Sequence, residues 1–388
     1  MTPSARIAAA ISILDDIQNG AVAEKTLTTW ARQNRYAGSG DRAAIRDLVF
    51  DALRRKSSLT WLGKGTSGRA LMIGGLRAQG QDLGSYFTGH GYAPAVLTPS
   101  EINNDTRIKD APAFVRLDCP EWLWPEMAVS LGETVDPVLT TLQSRADVFL
   151  RVNTAKTEVE VAVKTLAQDD IECEPHTLSP TALRVTKNPR RIQNSSAFKD
   201  GLVELQDVAS QAVVDHVLPF AKNKRVLDYC AGGGGKSLAL AASGAASVTA
   251  HDANPARMKD IPDRAARADV TVTIDTEPKG SFDLVLCDVP CSGTGAWRRQ
   301  PDAKWRMTRE RLNELQELQC QILKTATAFV GEGGYLAYIT CSLLRSENEE
   351  RVADFLNAMP GWTGISHRRL SPLDGGDGFF VAIFQRNS

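Results

Sequence analysis

Residues 282–305 read FDLVLCDVPCSGTGAWRRQPDAKW, and this stretch decides the fold. Leu284, Val285 and Leu286 form an apolar run with no turn former inside it, the pattern of a buried strand. The run ends at once in a carboxylate, a proline and a thiol: Asp288, Pro290 and Cys291. Gly293 and Gly295 then let another molecule approach the backbone. Trp297, Arg298, Arg299, Lys304, Trp305 and Arg306 follow as a basic and aromatic tail. In open α/β sheets, ligands bind just beyond the carboxyl ends of the strands. A thiol and a carboxylate placed there, followed by cations and indoles, fit covalent chemistry on a planar, anionic polymer.

Outward from this stretch, residues 201–388 alternate between strands and helices. Residues 202–205 read as a strand, 209–218 as a helix closed by Pro219, 226–227 as a strand, 236–242 as a helix and 247–250 as a strand. Such alternation builds an α/β domain around a mostly parallel, doubly wound sheet. Residues 119–200 read as a small α+β subdomain. Its strands lie at 148–152, 171–173 and 182–185, a helix runs through Val159, Val163 and Leu166, and Lys187, Arg190, Arg191 and Lys199 form a basic loop. Residues 1–118 read as an all-α domain. Ile7, Ile11, Leu14 and Ile17 fall at helical spacing, with a stop at Asn19 and Gly20. Leu27 and Trp30 mark a second helix, and Asp41 is expected to cap a third. Residues 57–125 carry core material but little periodicity.

Composition narrows the class. The chain has 388 residues, 43% of them hydrophobic and 23% charged, which is ordinary for a globular protein. No run approaches the roughly 20 apolar residues of a membrane span, and Asp15 and Asp16 interrupt the N-terminal periodicity against a signal peptide. The 7 cysteines form no CxxC pair and are joined by only 5 histidines, so no metal site is expected and the thiols read as reduced, in a cytoplasm. A net charge of −1 means that any nucleic-acid surface is a local patch.

Two further stretches bring chemistry to the same sheet edge. In VLDYCAGGGGKSLALAA, starting at Val226, a strand ends in Asp228, and Cys230, Ala231 and the glycines Gly232, Gly233, Gly234 and Gly235 lead to a helix near Lys236. The spacing fits neither a Walker phosphate loop nor GxGxxG. The next strand ends in Asp252, about 20 residues on, where α/β folds grip ribose hydroxyls. Loop and carboxylate together point to a nucleoside cofactor without a pyrophosphate, S-adenosyl-L-methionine. A second apolar strand, at 334–340, ends in Cys341 and Ser342. One cysteine at a strand end is more often packing than catalysis; two converging on one crevice favour function.

CAGGGGK at 230–236, DVPCSGTG at 288–295 and YITCS at 338–342 together resemble the RNA cytosine-5 methyltransferases of the Sun family. LRVN at 150–153, LQDVASQ at 205–211, RRQPDAKW at 298–305 and DGFF at 377–380 are similar too. The resemblance covers residues 120–388 well, and the helical N-terminus is similar, less specifically, to the NusB-like RNA-binding domain of such enzymes. It departs where the family has Ala-Pro and this chain has Gly232-Gly233, and where DAPC is replaced by DVPC. It implies a Rossmann-like methyltransferase domain, S-adenosyl-L-methionine as cofactor and RNA, 16S ribosomal RNA first, as substrate. It also implies that Cys341 is the nucleophile, that Cys291 assists product release and that Asp288 holds the base and lies near the cofactor. Asp252 would take the ribose and Asp275 (or Asp269) the adenine. Residues 230–236 would take the methionine part, with Lys236 equally readable as a solvent-facing cation. Arg298, Arg299 and Lys304 would contact phosphates. A monomer is expected. Transfer RNA as substrate, or a catalytically silent RNA-binding assembly factor, are the competing readings; the two thiols and Asp288 argue against the silent factor.

Overall fold

The computed structural model describes residues 1–387 and falls into two units. One comprises Met1–Arg145 together with Trp297–Met307; the other comprises Ala146–Ala296 and the chain from Thr308 onward.

The first unit is helical, with Pro3–Gln18, Ala23–Gln33, Ser39–Arg54, Lys56–Gly63 and Gly68–Ala78 as its main helices. Its core gathers Ile13, Leu14, Ile45, Leu59, Leu71 and Ile73, all 1% exposed or less. The last two helices lie in residues whose periodicity is weak, because two glycines there serve close packing. A Cβ on Gly63 would sit 2.0 Å from the Ala70 carbonyl oxygen, and one on Gly74 2.2 Å from that of Leu59. Asp41 is not a cap: Gly38 holds that place, and the Asp41 carboxylate binds the N-terminal ammonium and Arg6. The helical unit also extends beyond 118, since the helices Trp124–Leu131 and Val135–Leu142 pack with it.

The second unit holds two sheets among the described residues. β1 (Val148–Val152), β2 (Glu172–Pro175), β3 (Ala182–Lys187) and β4 (Val203–Leu205) form an antiparallel sheet of order β2-β3-β1-β4. That order, with a helix between β1 and β2, is ferredoxin-like. The strand expected to open the large domain is therefore β4, paired with β1 of the small sheet instead. Lys187 and Arg191 of the basic loop pair with Asp170 and Glu172, which neutralises much of that patch.

The larger sheet contains β5 (Arg225–Asp228), β6 (Ser247–Ala250), β7 (Thr273–Ile274), β8 (Phe282–Asp288), β9 (Val330–Thr340), β10 (Trp362–Leu370) and β11 (Phe379–Arg386). Its order is β10-β11-β9-β8-β5-β6-β7, parallel from β7 to β9, with β10 and β11 antiparallel. Both faces are covered by helices, so successive residues enter different cores: Leu284 and Leu286 one, Val285 and Cys287 the other. Burial on both faces is why these strands read as unbroken apolar runs. The chain runs outward from β5 to β7, then returns to place β8 on the other side of β5. The gap between the ends of β5 and β8 is thus a topological switch point, where doubly wound sheets bind ligands.

Candidate active site

All five parallel strands deliver their carboxyl ends to one edge, and the expected residues follow from that polarity. Asp228 ends β5, Asp252 and Asp275 follow β6 and β7, Asp288 ends β8, and Cys341 follows β9. Asp269 is different: it ends the helix Ile261–Ala268 in a left-handed conformation ahead of β7, toward the opposite edge.

The loop after β5 reaches the helix Gly235–Ala242 through Gly232 and Gly234, at φ of +52° and +77°, where a side chain would be strained. Asp252, 4% exposed, organises this loop. Its Oδ2 accepts from Gly232 N at 2.9 Å and from Arg257 Nη1 at 2.9 Å, and its Oδ1 accepts from Asn254 N at 2.9 Å. A carboxylate has about four acceptor positions, so one remains for a ligand hydroxyl. The helix start carries no side-chain cap, which leaves its first N–H groups for an anionic ligand group. These features fit the nucleoside and carboxylate ends of the cofactor expected from sequence.

Lys236 does not face solvent. It is 8% exposed, and its Nζ lies 2.6 Å from Asp288 Oδ2, across the switch point. Burial works against its charge, but Asp288, helped by Asp228 and Cys341, outweighs that and holds the ammonium above its ordinary range. Beneath it, burial raises Asp228 to about 7, against a hydrogen bond from Ser237 Oγ at 2.6 Å. Burial also pushes the Cys230 thiol upward.

The two motif thiols meet, with Cys291 Sγ 3.4 Å from Cys341 Sγ. The hydrogen bond with Cys341 and then burial hold Cys291 well above an ordinary thiol. Gly295 fixes the approach of the loops. Its N–H donates to the Cys341 carbonyl at 3.0 Å, and a Cβ there would sit 2.2 Å from the Gly378 oxygen.

Residues 119–192 match the family model described as a Methyltr_RsmF/B-like, ferredoxin-like domain, and residues 215–385 the one described as 16S rRNA methyltransferase RsmB/F. The chain belongs to the RsmB/F methyltransferase family. Proteins named Ribosomal RNA small subunit methyltransferase B, from Yersinia pseudotuberculosis and Yersinia pestis, are 31% identical over 281 residues, 68% of this chain. The chain spans 65% of the length of these relatives. Among solved structures, PH0851 superposes with a TM-score of 0.76 at 23% identity, covering 100% of this chain and 99% of its own. NSun6 from Pyrococcus horikoshii, solved with SFG, gives 0.61 at 17% identity, covering 69% of this chain and 98% of its own. These likenesses concern the fold.

Within this RsmB/F site, one group was not singled out from sequence. Glu347, in an acidic stretch that reads as a solvated helix face, is 0% exposed and clamps both cysteine loops. Its Oε1 accepts from Ser292 N and Gln319 Nε2, each at 2.9 Å. Its Oε2 accepts from Ser292 Oγ and Ser342 Oγ, each at 2.5 Å. Gln319 also donates to the Pro290 carbonyl at 2.9 Å, and Tyr338 OH donates to the Glu347 carbonyl at 2.6 Å. The only sequence signal was two polar serines directly beside the cysteines, Ser292 and Ser342.

Two of the three cations expected to meet phosphates do not fit that role. Lys304, 2% exposed, donates to the carbonyls of Arg54 at 2.9 Å and Asp118 at 2.8 Å, beside the Trp297 and Trp305 rings. Burial lowers its pKa to about 8. Arg298 is 5% exposed, with its carbonyl bound by Arg54 Nε at 2.9 Å. Arg299 is exposed.

Proposed function

We propose that this chain is an S-adenosyl-L-methionine-dependent RNA cytosine-5 methyltransferase acting on 16S ribosomal RNA in the cytoplasm, as a monomer. The observation that carries the reading is the pair of sulfurs 3.4 Å apart at the ends of adjacent strands, beside the Lys236–Asp288 pair. The names of the relatives support ribosomal RNA over transfer RNA.

Cytosine C5 is too weak a nucleophile to take a methyl group unaided. The Cys341 thiolate adds to C6, forming an S–C6 bond and pushing the electron pair of the C5–C6 bond onto C5. The bound cofactor supplies an electrophilic methyl group. Lys236 holds Asp288 Oδ2, which leaves Oδ1 to accept from the exocyclic amine of the base, and from N3 once N3 is protonated. After methylation the C5 proton passes to water, its bonding pair re-forms the double bond, and the S–C6 bond breaks with the sulfur taking back its electrons. Cys291, whose sulfur lies 3.4 Å from that of Cys341, assists release. Asp252 takes the ribose, Asp275 the adenine and residues 230–236 the methionine part; Arg299 contacts phosphate, and the reacting base is unpaired or flipped out.

The test uses unmethylated small-subunit RNA, labelled cofactor, and wild type, Cys341→Ala and Cys291→Ala. Wild type is expected to transfer label, Cys341→Ala none, and Cys291→Ala to accumulate a denaturation-resistant protein–RNA adduct. Full activity in Cys341→Ala would overturn the nucleophile assignment. RNA binding by wild type without transfer to ribosomal or transfer RNA would replace the enzyme with a silent binding factor.

A further inference from the structure

Three clefts of the helical unit meet at one indole. Trp30 lines a cleft of 740 Å³ with Arg32, Arg35 and Arg42, and one of 750 Å³ with Tyr36, His90 and Tyr92. A third, of 770 Å³, adjoins Asp16, Lys25 and Asn34. Arg32, Arg35 and Arg42 are exposed and make no ion pair among the described residues. Four carboxylates of the surrounding helices are engaged elsewhere, Glu24 by Arg46, Asp41 by Arg6 and the N-terminus, Asp47 by Arg145 and Asp51 by Arg54, while the exposed Asp16 lines the third cleft and not the arginine wall. The three guanidiniums therefore present undiluted positive charge along a concave wall, on a protein whose net charge is only −1.

Beside them stand two aromatic rings with little cover. Tyr36 is 72% exposed and Tyr92 is 87% exposed. The Tyr36 ring is held in place, because its hydroxyl donates to Asn34 Oδ1 at 3.0 Å and Asn34 Nδ2 donates to the Trp30 carbonyl at 2.8 Å. Tyr92 sits on a turn whose neighbours Gly89 and Gly91 have φ of +70° and +60°. Forked cations match phosphate oxygens, and open ring faces stack on bases that are not already stacked in a duplex. An acidic protein would use the cations but would leave the upright rings without a purpose.

We propose that the Trp30 face binds an unpaired RNA segment, its phosphates on Arg32, Arg35 and Arg42 and its bases on Tyr36 and Tyr92. This rests on RNA being the substrate and adds a contact besides those of the reacting cytosine.

Fluorescence anisotropy of a labelled single-stranded RNA 12-mer on the full chain, without cofactor and over a range of salt, tests it. The Arg32→Ala/Arg35→Ala/Arg42→Ala variant is expected to bind about 10- to 100-fold more weakly. Its salt slope should fall by about 2, from roughly 0.7 per single-strand phosphate. Tyr36→Ala/Tyr92→Ala should bind at least about tenfold more weakly with an unchanged slope, and its affinity for duplex RNA should stay the same. All five side chains are exposed, so thermal melts should match wild type. Wild-type affinity in the triple-arginine variant would overturn the proposal. So would normal RNA binding in both variants with loss of a polyglutamate peptide that wild type holds, which would assign the face to an acidic protein. Binding losses alongside a wild type that transfers no methyl group would support this surface while refuting the enzymatic reading alone.

Discussion

Replacing Glu347 should disable the thiol pair before it unfolds the domain. The carboxylate fills its roughly four acceptor positions with donors from the first cysteine loop, the second cysteine loop and the helix Arg309–Ala326. In Glu347→Ala, Gln319 keeps the Pro290 carbonyl, and the two serine hydroxyls, 3.3 Å apart, can turn to each other. Ser292 N–H keeps no partner, which costs about 1–3 kcal/mol. With the lost charge-assisted bonds and the void, the total comes to about 3–5 kcal/mol, the range for removing one partner of a buried charged network. Glu347→Gln keeps the Oε1 contacts and offers its amide to hydroxyls that can accept, so about 1 kcal/mol is expected. Catalysis should suffer more, because a displacement of ~1 Å between reacting groups costs about 100-fold in rate. Urea unfolding and single-turnover methyl transfer measure the two effects on the same variants. The expected order is a slow but folded Glu347→Gln and an inactive, destabilised Glu347→Ala. An alanine variant that unfolds within about 0.5 kcal/mol of wild type, a surface-like effect, and transfers methyl groups at the full rate would refute the clamp.

Lys304→Met should flatten part of the pH dependence of stability. The folded pKa of about 8 lies below the unfolded lysine value, so between pH 8 and about 10.4 the unfolded chain binds the extra proton and wild-type stability gains with rising pH. The wild-type-minus-variant difference in Tm across that window should therefore grow with pH; a flat difference would contradict the buried ammonium. Gly295→Ala should cost at least about 2 kcal/mol and most of the activity, because its methyl group would meet backbone rather than a flexible side chain; a wild-type denaturation midpoint would show that the loops can separate. Mild oxidation should join Cys291 and Cys341, removing 2 of the 7 free thiols and all methyl transfer, with both restored by dithiothreitol; seven titratable thiols after treatment would speak against their proximity. Asp252→Asn should weaken cofactor binding at least tenfold by calorimetry, since it loosens Gly232 as well as the expected ribose contact; unchanged affinity would remove Asp252 from the site.

The sequence by itself determined the parallel sheet, its site edge and the residues on it. Strand polarity and a period of apolar runs are local properties, and a residue just past a strand's carboxyl end lies on the ligand edge wherever that strand sits in the order. Asp228, Asp252, Asp275, Asp288, Cys291 and Cys341 were legible for that reason. Chain order hid what only three-dimensional neighbours decide. β4 follows the basic loop in sequence yet pairs with β1, because pairing is a matter of register between distant segments. Lys304 and Arg298 look like solvated cations in a basic run, but both are buried, and backbone carbonyls and indoles around Lys304 make an interior site. Glu347 is followed by the half-buried Glu349 and the exposed Glu350, and its role appears only when β8 and β9 bring Ser292 and Ser342 to the same carboxylate. Burial and hydrogen-bond satisfaction depend on every surrounding element at once, so tertiary structure alone could assign them.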